Sequence, residues 1–220
     1  MSTRSLLPRG NDVALVILDC DGVLFDSLAA NIAFYDSILT ALGRTPLDAE
    51  GRELCHRLSG PQLWSHLFAD DPATHRRATE LASRADYSPF YAMMRPARDL
   101  ETTLGVLAAH CPVAMATNRG RTVAGVLRHF ALEPFFAIRV GILDVPRPKP
   151  APDVLHACLA QAGVGAEAAV YVGDTGVDRD AAEAADVAYV GIGTESGAEW
   201  IVDEVSELPA LLGIPARPPP

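Results

Sequence analysis

Two pairs of acidic residues stand in this chain, each directly after a short apolar run. Asp19 and Asp21 follow Val13-Ala14-Leu15-Val16-Ile17-Leu18, and Asp174 and Asp178 follow Ala169-Val170-Tyr171-Val172-Gly173. Carboxylates one residue apart repel each other, and a cation is the simplest compensation. Asp174 and Asp178 are four apart where a helix begins, so both carboxylates face one point. With Asp19 they make a hard-oxygen cluster suited to Mg²⁺, which takes a few carboxylates plus water and substrate phosphate. Alone, a bare Asp-x-Asp is ordinarily a turn with incidental acids, and acids at a helix start are favoured by the dipole. The apolar runs in front of both pairs tip the reading toward chemistry.

Two more residues sit in comparable places. Thr117 follows the run Pro112-Val113-Ala114-Met115-Ala116, where its hydroxyl and nearby N–H groups suit a phosphoryl oxygen, although a threonine there is ordinarily a helix cap. Lys149 lies between Pro148 and Pro150, which fix the backbone on either side. It is the single lysine among 18 basic residues; the other 17 are arginines. A compact ammonium suits a crowded site of phosphate and carboxylates better than a planar guanidinium fork does. Asn118 and Arg57 are candidates for substrate contact.

The elements that position these residues are legible from periodicity. Short apolar runs bounded by turn formers read as buried parallel strands. Such runs fall at 13–17, 112–116, 136–142, 169–172 and 187–190, and helical patterns separate them. Leu28, Ile32, Tyr35, Leu39 and Leu42 mark the first helix, with Asp26 and Ser27 as its cap. Alternation of this kind predicts right-handed crossovers and a parallel sheet with helices on both faces, with ligands at the carboxyl ends of the strands. From Leu47 to Arg95 only helical patterns occur, broken near Gly60-Pro61, Asp71-Pro72 and Ser88-Pro89. The organisation predicted is an α/β core over 13–26 and 96–213, a helical insert over 27–95, and tails at 1–12 and 214–220.

In Asp19-Cys20-Asp21-Gly22-Val23-Leu24-Phe25-Asp26-Ser27, together with Thr117, Lys149 and Gly173-Asp174-Thr175-Gly176-Val177-Asp178, the chain resembles the haloacid dehalogenase superfamily. The likeness is to its phosphoglycolate-phosphatase-like branch with a helical cap. That resemblance implies a Rossmann-like core with 27–95 as the cap. It also implies Asp19 as nucleophile, Asp21 as general acid/base, and Thr117 and Lys149 as phosphate binders. Mg²⁺ would be held by Asp19, Asp174, Asp178 and the backbone carbonyl of Asp21. The implied reaction is hydrolysis of a small phosphorylated metabolite through an aspartyl-phosphate. A phosphomutase of the same branch, with a sugar hydroxyl in place of water, is the alternative. A phospho-accepting regulatory module is a more distant one, disfavoured by the acid at Asp21 and by the helical insert. Asp21 likewise disfavours dehalogenation, and the absence of a lysine from 27–95 disfavours phosphonate cleavage.

Composition narrows the partners. The 220 residues, 49% of them hydrophobic, carry a net charge of −10, which argues against nucleic acid. No apolar run approaches membrane-spanning length and no signal-peptide pattern opens the chain, so a cytoplasmic protein, monomer or homodimer, is expected. Cys20, Cys55, Cys111 and Cys158 lack metal-type spacing and read as free buried thiols. The loop Gly191-Ile192-Gly193-Thr194-Glu195-Ser196-Gly197 has the wrong spacing for dinucleotide binding.

Overall fold

A computed structural model describes residues 6–215, apart from the side chains of His56, Arg57 and Glu195. The chain forms two compact units, one of Met1–Phe25 with Pro96–Pro220 and the other of Asp26–Arg95.

In the first unit the chain begins with strand β1 (Leu15–Leu18). Two-residue strands β2 (Phe25–Asp26) and β3 (Arg95–Pro96) pair with each other at the boundary of the two stretches of chain, and the first unit continues with β4 (Val113–Ala116), β5 (Ile138–Val140), β6 (Ala169–Gly173), β7 (Ala188–Ile192) and β8 (Trp200–Val202). Six strands make one sheet in the order β5-β4-β1-β6-β7-β8, and every neighbouring pair is parallel. β1, β4 and β6 are buried along their whole length, as continuous apolar runs require in a sheet covered on both faces. Alternation sorts their side chains. Leu15, Ile17, Ala114, Ala116, Ala169 and Tyr171 pack with Val154, Leu155, Cys158, Ala181 and Ala182 in one core layer. The last five come from two helices, Asp153–Ala162 and Gly176–Ala184. A helix over Leu100–His110 packs on β4, carrying buried Leu100, Leu104 and Leu107.

Strand order fixes where the site can be. From β1 the chain steps to β4 and β5 on one side, then returns to β6 on the other side of β1 and continues to β7 and β8. The reversal leaves the carboxyl ends of β4, β1 and β6 side by side, which is where open α/β sheets bind ligands.

The second unit holds four helices, Leu28–Ala41, Ala49–Arg57, Gly60–Leu67 and Pro72–Arg84, and a 3₁₀ segment over Ser88–Met93. The predicted breaks are helix starts. Asp71 caps the helix that opens with Pro72 by accepting from Thr74 N, and Asp48 caps the second helix by accepting from Gly51 N. Phe34, Tyr35, Trp64, Phe68, Tyr87 and Phe90 form its aromatic interior.

Several details differ from the sequence-based expectation. β8 is unforeseen, since three residues between Glu199 and Asp203 carry no usable period. The strand expected over 136–142 is only Ile138–Val140, because Gly141 already turns, its N–H donating to Asp144 Oδ2 at 2.8 Å. Ser27 occupies the first helix's N-cap without a side-chain cap bond; its hydroxyl takes the Asn31 amide at 3.4 Å. Neither tail begins where expected. Gly10 N donates to Leu212 O at 2.7 Å, which ties the two segments together, and Ile214 is buried. The Pro-rich end from Ala216 lies outside the described residues.

Candidate active site

Asp19 is the first residue past β1, and its backbone N–H still donates to Val172 O of β6 at 2.9 Å. Thr117 is the first past β4, Asp174 the first past β6, and Asp178 lies in the first turn of the following helix. Lys149 arrives from a loop after β5 that includes a cis Lys149–Pro150 bond. One oxygen from each of Asp19, Asp174 and Asp178 falls within a 4.8 Å cluster. Asp19, Thr117, Lys149, Asp174 and Asp178 therefore come to the same end of the sheet from four separate stretches of chain.

Two glycines permit that approach. Gly22 sits at φ +77°, and a Cβ there would collide with the Asp174 carboxylate. A Cβ on Gly173 would collide with Asp178.

Lys149 is 2% exposed and its ammonium is surrounded by acceptors. Its Nζ donates to Asp178 Oδ1 and to the Tyr171 hydroxyl, both at 2.7 Å, and lies 3.0 Å from Asp19 Oδ1. Burial alone would push this lysine down, but Asp178 and Asp19 hold its ammonium above the ordinary lysine range. Asp178 has the opposite balance. Burial would raise it, yet Lys149 and the hydrogen bonds around it keep its carboxyl below the usual range. Those bonds saturate the group. Oδ1 accepts from Lys149 and from the Tyr171 hydroxyl at 2.6 Å, and Oδ2 from Thr175 N and Oγ1 at 3.1 and 2.6 Å.

At Asp19 and Asp174 burial outweighs the compensation from Lys149. Burial, opposed by Lys149 and reinforced by Asp178 and Asp21, pushes Asp19 up to about 7. Burial, then the charges of Asp19 and Asp178, push Asp174 up to about 8. Asp19 keeps its orientation through Cys20 N, which donates to Oδ1 at 2.7 Å.

Asp21 is held by Arg119, which nothing in its local pattern distinguishes among 17 arginines. Arg119 Nε donates to Asp21 Oδ1 and Oδ2 at 3.0 and 2.7 Å, and Nη2 to Oδ1 at 2.7 Å. Arg119 Nη1 donates to Thr122 Oγ1 at 3.2 Å, and Arg119 N donates to Thr117 Oγ1 at 3.1 Å. Tyr171 and Thr175 were missed as well. A tyrosine inside an apolar strand reads as core, and only the fold brings its hydroxyl to Lys149. Asn118, expected at the substrate, has its amide on the Lys149 backbone. Its Nδ2 donates to Lys149 O at 3.2 Å, and its Oδ1 accepts from Lys149 N at 3.0 Å. The Arg57 side chain lies outside the described residues.

The donor set fits a divalent cation. Among the described residues the cationic side chains paired with these acids are Lys149 and Arg119, so full ionisation of Asp19, Asp21, Asp174 and Asp178 would leave two negative charges there. A hard-oxygen cluster with that deficit matches a cation of charge two.

A six-stranded parallel sheet with an acid cluster and a buried lysine at its switch point defines the class, a Rossmann-like α/β protein with a site at its strand ends. The chain belongs to the haloacid dehalogenase-like hydrolase family, whose model matches residues 16–192. It is 28% identical to a phosphoglycolate phosphatase of Pseudomonas syringae pv. tomato, over 99% of this chain and 86% of that one. It is 31% identical to the tyrosine-protein kinase PtkA of Mycobacterium tuberculosis, over 90% of this chain and 68% of that one. Among solved structures, a HAD-superfamily hydrolase of subfamily IA, variant 1, from Geobacter sulfurreducens superposes with a TM-score of 0.72 at 32% identity, covering 94% of this chain and 100% of that one. Among the described residues no helix is long and apolar enough to cross a membrane.

Proposed function

We propose that this enzyme is a Mg²⁺-dependent phosphatase of small phosphorylated metabolites in the cytoplasm, working through a phosphoryl group carried on Asp19. The observation that carries the reading is the position of Asp19: at the end of the central strand, 3.0 Å from the one lysine, inside the cluster of carboxylates. A carboxylate attacks a phosphate dianion poorly because both are anionic. Lys149 offsets that repulsion and stabilises charge on the equatorial oxygens as the phosphoryl group transfers. Thr117, at the end of β4, offers its O–H to a phosphoryl oxygen. Mg²⁺, when bound, neutralises the phosphoryl oxygens further. Asp19, Asp174 and the Asp21 carbonyl are its candidate ligands. The four hydrogen bonds on Asp178 suit that residue to fixing Lys149 and the loop after β6, so it ligates only by giving one up.

Asp21 completes the cycle. It donates a proton to the leaving alkoxide oxygen, and as a carboxylate it then takes a proton from the water that attacks the phosphorus of the aspartyl-phosphate. The Asp26–Arg95 unit serves as the cap that reads the leaving group. In that unit Ser59 and Gln62 bond each other at the start of a helix, and Trp64 is buried against Tyr35. A phosphomutase would use the same groups with a sugar hydroxyl as acceptor. Phosphate release from a panel of phosphomonoesters, with and without chelator, separates the two. Hydrolysis abolished by chelator and by Asp19→Asn supports the reading, and turnover undiminished in Asp19→Asn overturns it.

A further inference from the structure

Four oxygens of the described residues lie within 3.3 Å of the Lys149 ammonium, more than its N–H groups can serve at once. Asp178 Oδ1 and the Tyr171 hydroxyl stand at 2.7 Å, Asp19 Oδ1 at 3.0 Å and Ala116 O at 3.3 Å. Tyr171 differs from the other three because its oxygen can donate as well as accept. An ammonium has no lone pair, so the hydroxyl accepts from Lys149 and gives its own proton to Asp178 Oδ1 at 2.6 Å. Nζ, the hydroxyl and Oδ1 thus close a triangle with sides of 2.7, 2.6 and 2.7 Å.

The three corners are not equally fixed. Lys149 reaches in on a flexible stem from a loop, and Asp178 stands in the first turn of a helix. Tyr171 is fully buried in the middle of β6, in register with Ile17 of β1 on one side and Tyr189 of β7 on the other. The strand holds the hydroxyl in place, and the two charged groups arrange themselves about it. Without that oxygen, Asp178 Oδ1 would lose a donor and Nζ an acceptor. Each would then draw on the other more strongly, and the ammonium would settle toward Asp178 and away from Asp19.

We infer that Tyr171 is a positioning residue for phosphoryl transfer: its hydroxyl, fixed by β6, shares Asp178 with Lys149 and so keeps the ammonium beside Asp19, where the phosphoryl group is received. This rests on the phosphatase reading and adds a residue to its machinery. Tyr171 acts through Lys149 rather than on the substrate, so its effect on turnover exists only while Lys149 is present.

The test is a double-mutant cycle of Tyr171→Phe with Lys149→Met, read as kcat/KM on p-nitrophenyl phosphate with Mg²⁺, with thermal melts to verify folding. Tyr171→Phe keeps the ring and its packing and removes only the oxygen. In the presence of Lys149 it should cost about 10–100-fold, the loss expected for a hydrogen bond to a charged group. In the Lys149→Met background the same change should cost less than about threefold, because the group it acts through is gone. A role confined to packing lowers both backgrounds by the same factor. Equal factors, or a folded Tyr171→Phe within about threefold of wild type, overturn the inference. A second readout needs no turnover and decides the matter if Lys149→Met is too slow to measure. Lys149 is the single lysine, so protein grown on lysine labelled with ¹⁵N at Nζ carries one labelled ammonium. Orthovanadate with Mg²⁺, a mimic of the transferring phosphoryl group, should displace that resonance in the wild type and displace it less in Tyr171→Phe. Equal displacement in the two proteins overturns the inference. Failure of the wild type on every phosphomonoester would instead sink the phosphatase reading, while a resonance that still moves between wild type and Tyr171→Phe would uphold the hydroxyl's hold on Lys149.

Discussion

Lys149→Met is the perturbation whose consequences the structure specifies most fully. The ammonium is 2% exposed and lies within 3.0 Å of Asp178, Tyr171 and Asp19. Methionine matches its length and leaves the carboxylates without their cation. Breaking a buried pair by removing one partner costs about 3–5 kcal/mol. At about 2–4 °C per kcal/mol for a chain of this size, the metal-free protein should melt roughly 6–20 °C lower. Activity should fall at least ~10²–10³-fold, the usual cost of one preorganised electrostatic contact. Lys149→Arg sharpens the test. It keeps the charge, but a guanidinium does not fit where an ammonium is ringed at 2.7 Å, so it should be impaired nearly as severely. Both variants should still bind divalent cations, because the carboxylates remain and the Met variant makes the site one charge more negative. The assays are scanning fluorimetry, phosphate release and a metal titration. A Lys149→Arg enzyme with near-wild-type kcat, or a Lys149→Met protein melting within 2 °C of wild type, would refute this account of the lysine.

Two further predictions concern the acids. Asp21→Asn should reduce kcat by ~10²–10⁴-fold on alkyl phosphates and by less on an aryl phosphate whose leaving group needs little protonation; equal losses, with phosphoryl transfer shown to be rate-limiting, would remove Asp21 as the acid. In the metal-free protein Asp19 and Asp174 have folded-state values near 7 and 8, above the ordinary carboxylate value of 3.8. A raised value means that the folded state holds its protons more tightly than the unfolded chain. The stability these groups contribute is full at low pH and is lost as pH rises through 7 to 8. The melting temperature should therefore decline from about pH 5.5 to 8.5 without metal, and Mg²⁺ should restore it at the upper end. A flat or rising metal-free curve would contradict the burial-driven shifts.

The sequence made the framework of this protein legible because its strands are buried on both faces. β1, β4 and β6 needed only a continuous apolar run to be placed. The residues just past them, Asp19, Thr117 and Asp174, were legible for the same reason, since a strand end in a parallel sheet is a location in space as well as in sequence. β8 and the exact extent of β5 were not legible, because three-residue segments carry no period. Arg119 and Tyr171 escaped for a different reason. One is an arginine in a chain full of them, and the other an aromatic inside an apolar strand. Their roles are long-range facts, 98 residues from Arg119 to Asp21 and 22 from Tyr171 to Lys149. Lys149 was found because composition made it unique.

The central claim is that Asp19 itself carries the phosphoryl group. The direct measurement is an acid quench of the enzyme during turnover of a phosphate-labelled substrate, followed by peptide mapping. Label should co-purify with the peptide that contains Asp19, be released by mild alkali as an acyl phosphate is, and be absent from Asp19→Asn. Label on another residue, or turnover with no labelled protein even in Asp21→Asn, where breakdown of the intermediate should be slowed, would contradict the account.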